Sequence, residues 1–223
     1  MTIKTKEKTA LVFGSTGLTG RELTNLLLFD DHYEKIKVFV RKSGGINHPK
    51  LIEVIDQLDD IEKIADEITG DDLFCCLGTT MKKAGTKKAF EWVDLELPVR
   101  IAALASKNKI RKFLVVSSVG ANYSSGNFYL RTKGMMEKKV LESQFQQIHI
   151  LRPSLLLGNR EEFRFAEKIG QLVFRGLSLL FIGPLRKYRA IEAIDVAKAM
   201  IKLANSVSSS TFIESTQIHE IAK

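Results

Sequence analysis

The sequence predicts an α/β fold, a doubly wound parallel sheet with helices on both faces and a small C-terminal extension. Three observations predict it. Short apolar runs of strand length alternate with longer amphipathic patterns up to Pro153. The first of these runs ends in a glycine-rich turn, GSTGLTG (14–20), and a helical pattern opens directly behind it. No internal repeat and no boundary rich in Pro or Gly divides the 223 residues, a length that suits one domain with a large core.

The elements follow in order. TALVFG (9–14) reads as a buried strand, and LTGRELTNLLLF (18–29) as a helix with Leu23, Leu26 and Leu27 on one face. IKVFV (36–40) and LIEVI (51–55) are the next strands, and Asp59 to Ile68 has a helical pattern. DLFCCLG (72–78) is the fourth strand. Ala89 to Ser106 is mostly helix, with Pro98 setting a start or kink near Asp94 to Leu97. RKFLVVSS (111–118) is a fifth strand, Phe128 to Ser143 a helix and IHILRP (148–153) a sixth strand. Beyond it, 161–177 and 193–204 read as amphipathic helices, 205–210 as a polar connector, and the tail as one or two short strands. This predicts a single domain over 1–223, with its core at about 8–155 and substrate-side elements at about 156–223.

Composition narrows the function classes. The net charge of +8 and pI near 9.4 suit an anionic ligand or a basic soluble surface. The basic residues are spread along the chain and do not alternate with aromatics, so nucleic acid is not the expected partner. The N-terminal apolar run is too short for a signal peptide, and no stretch reaches the ~18 apolar residues of a membrane span. The cysteines, Cys75 and Cys76, are adjacent in an apolar run, which predicts buried thiols and a cytoplasmic protein. The four His are scattered without ligand spacing, so no metal site is expected.

The glycine turn carries the first chemistry. Gly14, Gly17 and Gly20 permit a tight strand-to-helix turn and close approach of a phosphate to the backbone. The helix behind them offers free N–H groups and a positive dipole end, and Thr16 and Thr19 offer hydroxyls. The spacing is GxxGxxG rather than GxGxxG, and its place between a strand and a helix gives it meaning. Behind the second strand stand Arg41 and Lys42, where a carboxylate would select NAD. A guanidinium there grips a 2′-phosphate, so the expected cofactor is NADP(H), with Arg41 as main anchor. Asp56 follows the third strand, either to accept from an adenine amino group or to cap the next helix.

A second candidate is Tyr129 with Lys133, one helical turn apart behind the fifth strand. A like-spaced pair, Tyr33 and Lys37, lies at the start of the second strand, the end away from the ligand crevice of a parallel sheet. Tyr129 is therefore the proton donor of choice, because a lysine at that distance tunes a phenol toward working pH.

GSTGLTG, CCLGTT, VVSSVGAN, YLRTK and LRPSLLLG occur in this order. The set resembles the atypical short-chain dehydrogenase/reductases. CCLGTTMKKAG, SSVGANYSSGNFYLRTKGMMEKKV and LRPSLLLGNRE are most similar to the HIV Tat-interacting protein family of NADPH-binding oxidoreductases. The likeness spans about residues 8–204 and implies an NAD(P)-binding Rossmann fold. It implies that Gly14, Ser15, Thr16, Gly17, Leu18 and Thr19 hold the pyrophosphate, Arg41 with Lys42 the 2′-phosphate, and Asp56 the adenine side. Leu77, Gly78 and Thr79 would line the ribose, and Pro153 the nicotinamide. Tyr129 and Lys133 would be the catalytic pair, with Ser118 or its neighbour Ser117 as hydroxyl partner. Asp94 stands where standard members carry a relay Asn.

The implied activity is NADP(H)-linked reduction of a small carbonyl compound. Two other readings stay open: a cofactor-sensing protein that controls a protein partner, for which the apolar-then-basic tract LSLLFIGPLRKYR is a docking candidate, and a sugar-nucleotide epimerase- or dehydratase-like enzyme. The oligomeric state is open.

Overall fold

The structure, a computed structural model, describes residues 8–158, 189–208 and 210–223. Strand β1 (Lys8–Phe13) is central, and its residues alternate between two cores. Ala10 and Val12 face one, Leu11 and Phe13 the other, and all are fully buried. Chain order then runs through α1 (Leu18–Leu28), β2 (Tyr33–Val40), β3 (Leu51–Ile55) and β4 (Asp72–Cys75). Next come α2 (Met81–Ala84), α3 (Lys87–Glu91), α4 (Leu97–Lys107), β5 (Lys112–Val116), α5 (Phe128–Val140) and β6 (Gln147–Arg152). β7 (Leu156–Leu157) and β8 (Ile191–Glu192) form a small separate pair. The last elements are α6 (Ala193–Ala204), β9 (Phe212–Glu214) and α7 (Ser215–Ala222).

Among the described residues the main sheet has seven strands in the order β3-β2-β1-β4-β5-β6-β9, every neighbour pair parallel. One face packs α1, α6 and α7 through Leu23, Leu27, Met200 and Ile218. The other packs α4 and α5 through Ile101, Ala105, Met136 and Val140. From β1 the chain winds outward to β3, then crosses back to β4 on the other side of β1. That reversal opens a crevice at the carboxyl ends of β1 and β4.

The structure departs from the sequence reading in three places. Asp59 to Ile68 is not an α-helix: Ile61–Glu67 forms a 3₁₀ segment broken at Ile64, with no side-chain cap at Asp60. Only Ile61 in it is buried, too little packing to hold a longer helix. The helix expected from Ala89 is interrupted by a π turn over Trp92–Glu96. Pro98 has no N–H for the Asp94 carbonyl, and its ring crowds that carbonyl, so the ladder widens there. The tail, expected as one or two short strands, is one strand and a helix, β9 and α7; β9 pairs with β6, and α6 packs on α1. The helix expected over 161–177 and the tract LSLLFIGPLRKYR lie outside the described residues.

At the opposite end of the sheet His149 on β6 is buried, with Nδ1 2.7 Å from the Ser210 carbonyl. Burial lowers its pKa, the Ser210 bond opposes that, and Lys112 adds to it. The folded pKa is below the unfolded one, so stability is whole above about pH 6.5 and falls as pH drops below it. We expect the melting temperature to fall between pH 7.5 and 5.5 and His149→Gln to lessen that fall. An unchanged slope in the variant would refute this account.

Candidate active site

The crevice begins with glycines because nothing larger fits. Gly14 has φ +84°, and a Cβ on it would lie 2.7 Å from the Cys76 carbonyl carbon. The turn after β1 thus lies directly against the end of β4. A Cβ on Gly20 would lie 2.1 Å from the Gly14 carbonyl oxygen, so the helix can begin this close to the turn only with glycine there. Gly17 caps α1 with extended backbone, no side-chain cap and no acidic residue in the first turn. The helix end therefore presents its amides and dipole without a competing carboxylate. Ser15 is half-buried, Thr16 exposed, and Leu18 and Thr19 are buried. This bare cradle fits a dinucleotide pyrophosphate.

Arg41 and Lys42 are exposed at the carboxyl end of β2, next to β1 on the same rim. Asp56 is half-buried, and its Oδ1 accepts the Leu58 N–H at 2.7 Å, stabilising the turn in which Leu58 takes φ 60°. It caps that turn rather than the helix expected behind it.

Leu77, Gly78 and Thr79 leave β4 half-buried along the crevice. Lys133, from α5, reaches across to them. A Cβ on Gly78 would stand 3.8 Å from the Lys133 Nζ and 3.4 Å from Asp94 Oδ1. Lys133 Nζ forms an ion pair with Asp94 Oδ1 at 2.8 Å, and the two side chains are only 4% and 1% exposed. Asp94 Oδ2 accepts the Thr79 N–H at 2.7 Å. Burial alone would lower the Lys133 pKa, but the charges of Asp94 and Tyr129 outweigh it and raise it, so Lys133 is a held ammonium.

Tyr129 lies one turn earlier on α5 and is 38% exposed, its ring edge-on to Phe90 at 5.9 Å. Asn127 caps the helix by accepting the Leu130 N–H at 3.1 Å. Gly134 lets the loop behind β5 lie on the helix, since a Cβ there would meet the Tyr123 nitrogen at 2.2 Å.

The two serines differ. Ser117 is buried and donates to Glu137 Oε1 at 2.6 Å. Arg152 grips Glu137 with Nε at 2.9 Å and a second nitrogen at 2.6 Å. Ser118 is half-buried, and among the described residues its hydroxyl has only a long 3.4 Å contact with the Val119 carbonyl. Pro153 is buried, its carbonyl accepting the Val119 N–H at 2.9 Å and tying the ends of β5 and β6 together.

The competing pair Tyr33/Lys37 lies apart from all this. Tyr33 is buried and donates to Asp72 at 2.8 Å. Burial, then Asp72, pushes its phenol far above the ordinary range. Lys37 pairs with Glu67 at 3.1 Å.

The sequence reading missed the Asp94–Lys133 contact and the Ser117–Glu137–Arg152 chain. The signal for the first was Pro98 four residues after Asp94. The second left a weaker trace, a Glu one turn beyond Lys133.

A glycine cradle at the switch point of a parallel sheet, with a Tyr/Lys helix across the crevice, defines a dinucleotide-binding Rossmann protein. The chain belongs to the NAD(P)H-binding family, whose model matches residues 14–206. It is 33% identical to Protein HTATIP2 of Rattus norvegicus, over 89% of this chain and 81% of that protein. It is 30% identical to Protein FMP52, mitochondrial, of Meyerozyma guilliermondii, over 96% of this chain and 95% of that one. Among solved structures it is similar to an NAD-bound short-chain dehydrogenase/reductase superfamily protein from Agrobacterium tumefaciens (TM-score 0.58, 21% identity, 67% of this chain) and spans 50% of that chain. The NAD⁺ complex of the Bordetella bronchiseptica enzyme WbmH gives TM-score 0.69 at 15% identity, over 91% of this chain and 73% of that one.

The cytoplasmic expectation is corrected by these relatives, since several FMP52 proteins are named mitochondrial. It rested on the reduced cysteines, and these do not discriminate: Cys75 is buried in the core, where burial pushes its thiol up to about 11 and keeps it inert in any compartment. Among the described residues no helix is long and apolar enough to cross a membrane.

Gly20→Ala reverses an ordinary rule. Ala in place of a helical Gly usually stabilises by up to about 1 kcal/mol; here the Cβ meets a backbone oxygen, and we expect a loss of about 1–3 kcal/mol together with loss of cofactor binding. Thermal melting and NADPH fluorescence titration measure both; a stabilised variant that binds normally would refute the cradle.

Proposed function

We propose that this protein is an NADP(H)-dependent oxidoreductase that reduces a small carbonyl compound. The observation that carries this reading is the pairing on α5 of a buried ammonium, Lys133, reaching the Gly78 turn with an exposed phenol, Tyr129, one turn toward the crevice mouth. Gly14 to Thr19 hold the pyrophosphate, Leu77 to Thr79 the ribose, and Arg41 with Lys42 the 2′-phosphate. Asp56 lies on the adenine side and Pro153 beside the nicotinamide. When bound, the cofactor supplies the hydride.

The chain's own residues handle the carbonyl oxygen. Tyr129 donates its phenolic proton to that oxygen as hydride arrives at the carbon. The Lys133 ammonium stabilises the charge left on the phenolate and donates to the cofactor's sugar. Ser118 donates a hydrogen bond to the carbonyl oxygen and orients it. The commitment of Ser117 to Glu137 favours Ser118 for that role.

Two measurements test the reading. NADPH consumption across aldehydes, ketones and quinones should fall by about 10²–10⁴-fold in Tyr129→Phe; turnover that survives in this variant would remove Tyr129 from the chemistry. Arg41→Ala should weaken NADPH by about 10–100-fold and leave NADH unchanged. Equal effects on both cofactors, or on neither, would overturn the NADP assignment.

A further inference from the structure

Two stretches that border Tyr129 carry cations and no carboxylate. Between Gly78 and Phe90 the chain has no Asp or Glu, but four exposed lysines, Lys82 and Lys83 on α2 and Lys87 and Lys88 on α3. From Ser117 to Met136, through the loop behind β5 and the first turns of α5, there is again no Asp or Glu. Phe90 joins the two stretches: it is buried, its ring 5.5 Å from Phe128 and 5.9 Å from Tyr129. Lys87 stands three residues before Phe90, on the same side of α3, and its Nζ lies 5.4 Å from the centre of the Phe128 ring. The Arg131 guanidinium lies 5.9 Å from the same ring and is anchored by donating to the Ser125 and Gly126 carbonyls at 2.8 and 3.2 Å. Among the described residues neither Lys87 nor Arg131 has a carboxylate partner. The next acids along the chain are Glu91, which forms no ion pair among the described residues, and Asp94, which is taken by Lys133 at 2.8 Å.

We propose that the carbonyl substrate is an anion, bearing a carboxylate or a phosphate, and that Lys87 is the residue that selects it. The inference rests on the reading of Tyr129 as proton donor and adds the substrate class to it. Two cations share one neutral ring with no counter-charge, and the face of a ring offsets only part of their field. What remains is a positive rim beside the phenol, which draws an anion toward it. Phe90 touches both Phe128 and Tyr129, so the ammonium and the phenol belong to one rim. Arg131 is committed to loop carbonyls and adds to the field; Lys87 is exposed and keeps its donors for a ligand. A flexible ammonium suits either oxyanion as a point charge. A neutral carbonyl compound gains nothing from it, so the selection appears in kcat/KM.

Two matched pairs of compounds test this: para-carboxybenzaldehyde against its methyl ester, and glyceraldehyde phosphate against glyceraldehyde. The first pair asks for a carboxylate, the second for a phosphate. At low salt the charged member of at least one pair should show a kcat/KM about tenfold higher in wild type, and the advantage should shrink as salt is raised. Lys87→Gln should abolish the advantage and Lys87→Arg should keep it. Lys107→Gln, which removes an exposed charge at the far end of α4, should keep it too. The NADPH dissociation constant should be the same in every variant. An advantage absent from both pairs, or one that survives Lys87→Gln, would overturn the proposal and leave the reductase reading standing. If wild type reduces none of these compounds, the reductase reading falls, and binding of para-toluate and its methyl ester, followed by NMR at the Phe90 and Phe128 rings, decides the anion recognition alone. Toluate should bind about tenfold more tightly than the ester and lose that margin in Lys87→Gln. Equal binding of the two, or binding that leaves both rings unshifted, would overturn it.

Discussion

A lysine whose side chain is 4% exposed sits in the interior of this protein because a carboxylate faces it at 2.8 Å. Burying an ion costs several kcal/mol, and close pairing offsets that cost only with good geometry. The geometry here has a traceable source. Pro98 cannot supply the N–H that the Asp94 carbonyl would take in a regular helix, and the ladder opens into a π turn. Asp94 in that turn is buried and pairs with Lys133 of α5. Tyr129, one turn earlier on α5, is 38% exposed. A backbone defect thus positions a side chain on another helix.

The two ends of the sheet divide the polar groups between them. At the amino ends of the strands, Lys8 pairs with Asp72 at 3.0 Å while Tyr33 donates to the same carboxylate at 2.8 Å. These groups satisfy one another. At the carboxyl ends, the α1 amides, Arg41 and the Ser118 hydroxyl stand at the crevice rim with little internal commitment. A Tyr and a Lys four residues apart occur at both ends, and their surroundings separate them: Tyr33 is consumed by Asp72, whereas Tyr129 is exposed.

Much of this was legible in the sequence because it depends on local rules. The strand-length apolar runs gave β1, β3 and β6 nearly to the residue: β1 is apolar where it is buried on both faces, and the edge strand β3, with no buried residue, shows as the β-branched run LIEVI. α6 was legible through its periodicity. The glycine turn was legible because Gly14 needs positive φ and both Gly14 and Gly20 need room. What failed depended on partners distant in the chain. IEKIADE has helical spacing, but Ile61 alone in it is buried while Ile64 and Ala65 pack on the core only in part, and the segment tightens into 3₁₀. The tail, expected as one or two short strands, holds one, Phe212–Glu214, before a helix, and the pairing of that strand with β6 leaves no local mark. Asp94 could be flagged as a departure from a motif, but its contact with Lys133 could not be foreseen from spacing.

The adjacent serines differ in how far a tertiary network claims them. Ser117 and Ser118 emerge at the end of β5 with side chains on opposite sides. Glu137 is buried and must be satisfied; Arg152 supplies the opposite charge, and its remaining nitrogen reaches Glu214 at 3.0 Å. Ser117 completes the set, so it belongs to a network joining β5, α5, β6 and β9. A half-satisfied buried network costs more than an apolar core, and each member is held by the others. That network ties the end of β5 to α5, β6 and β9. Ser117 is therefore spent inside the protein, while its neighbour Ser118 stays half-buried with a single long hydroxyl contact among the described residues.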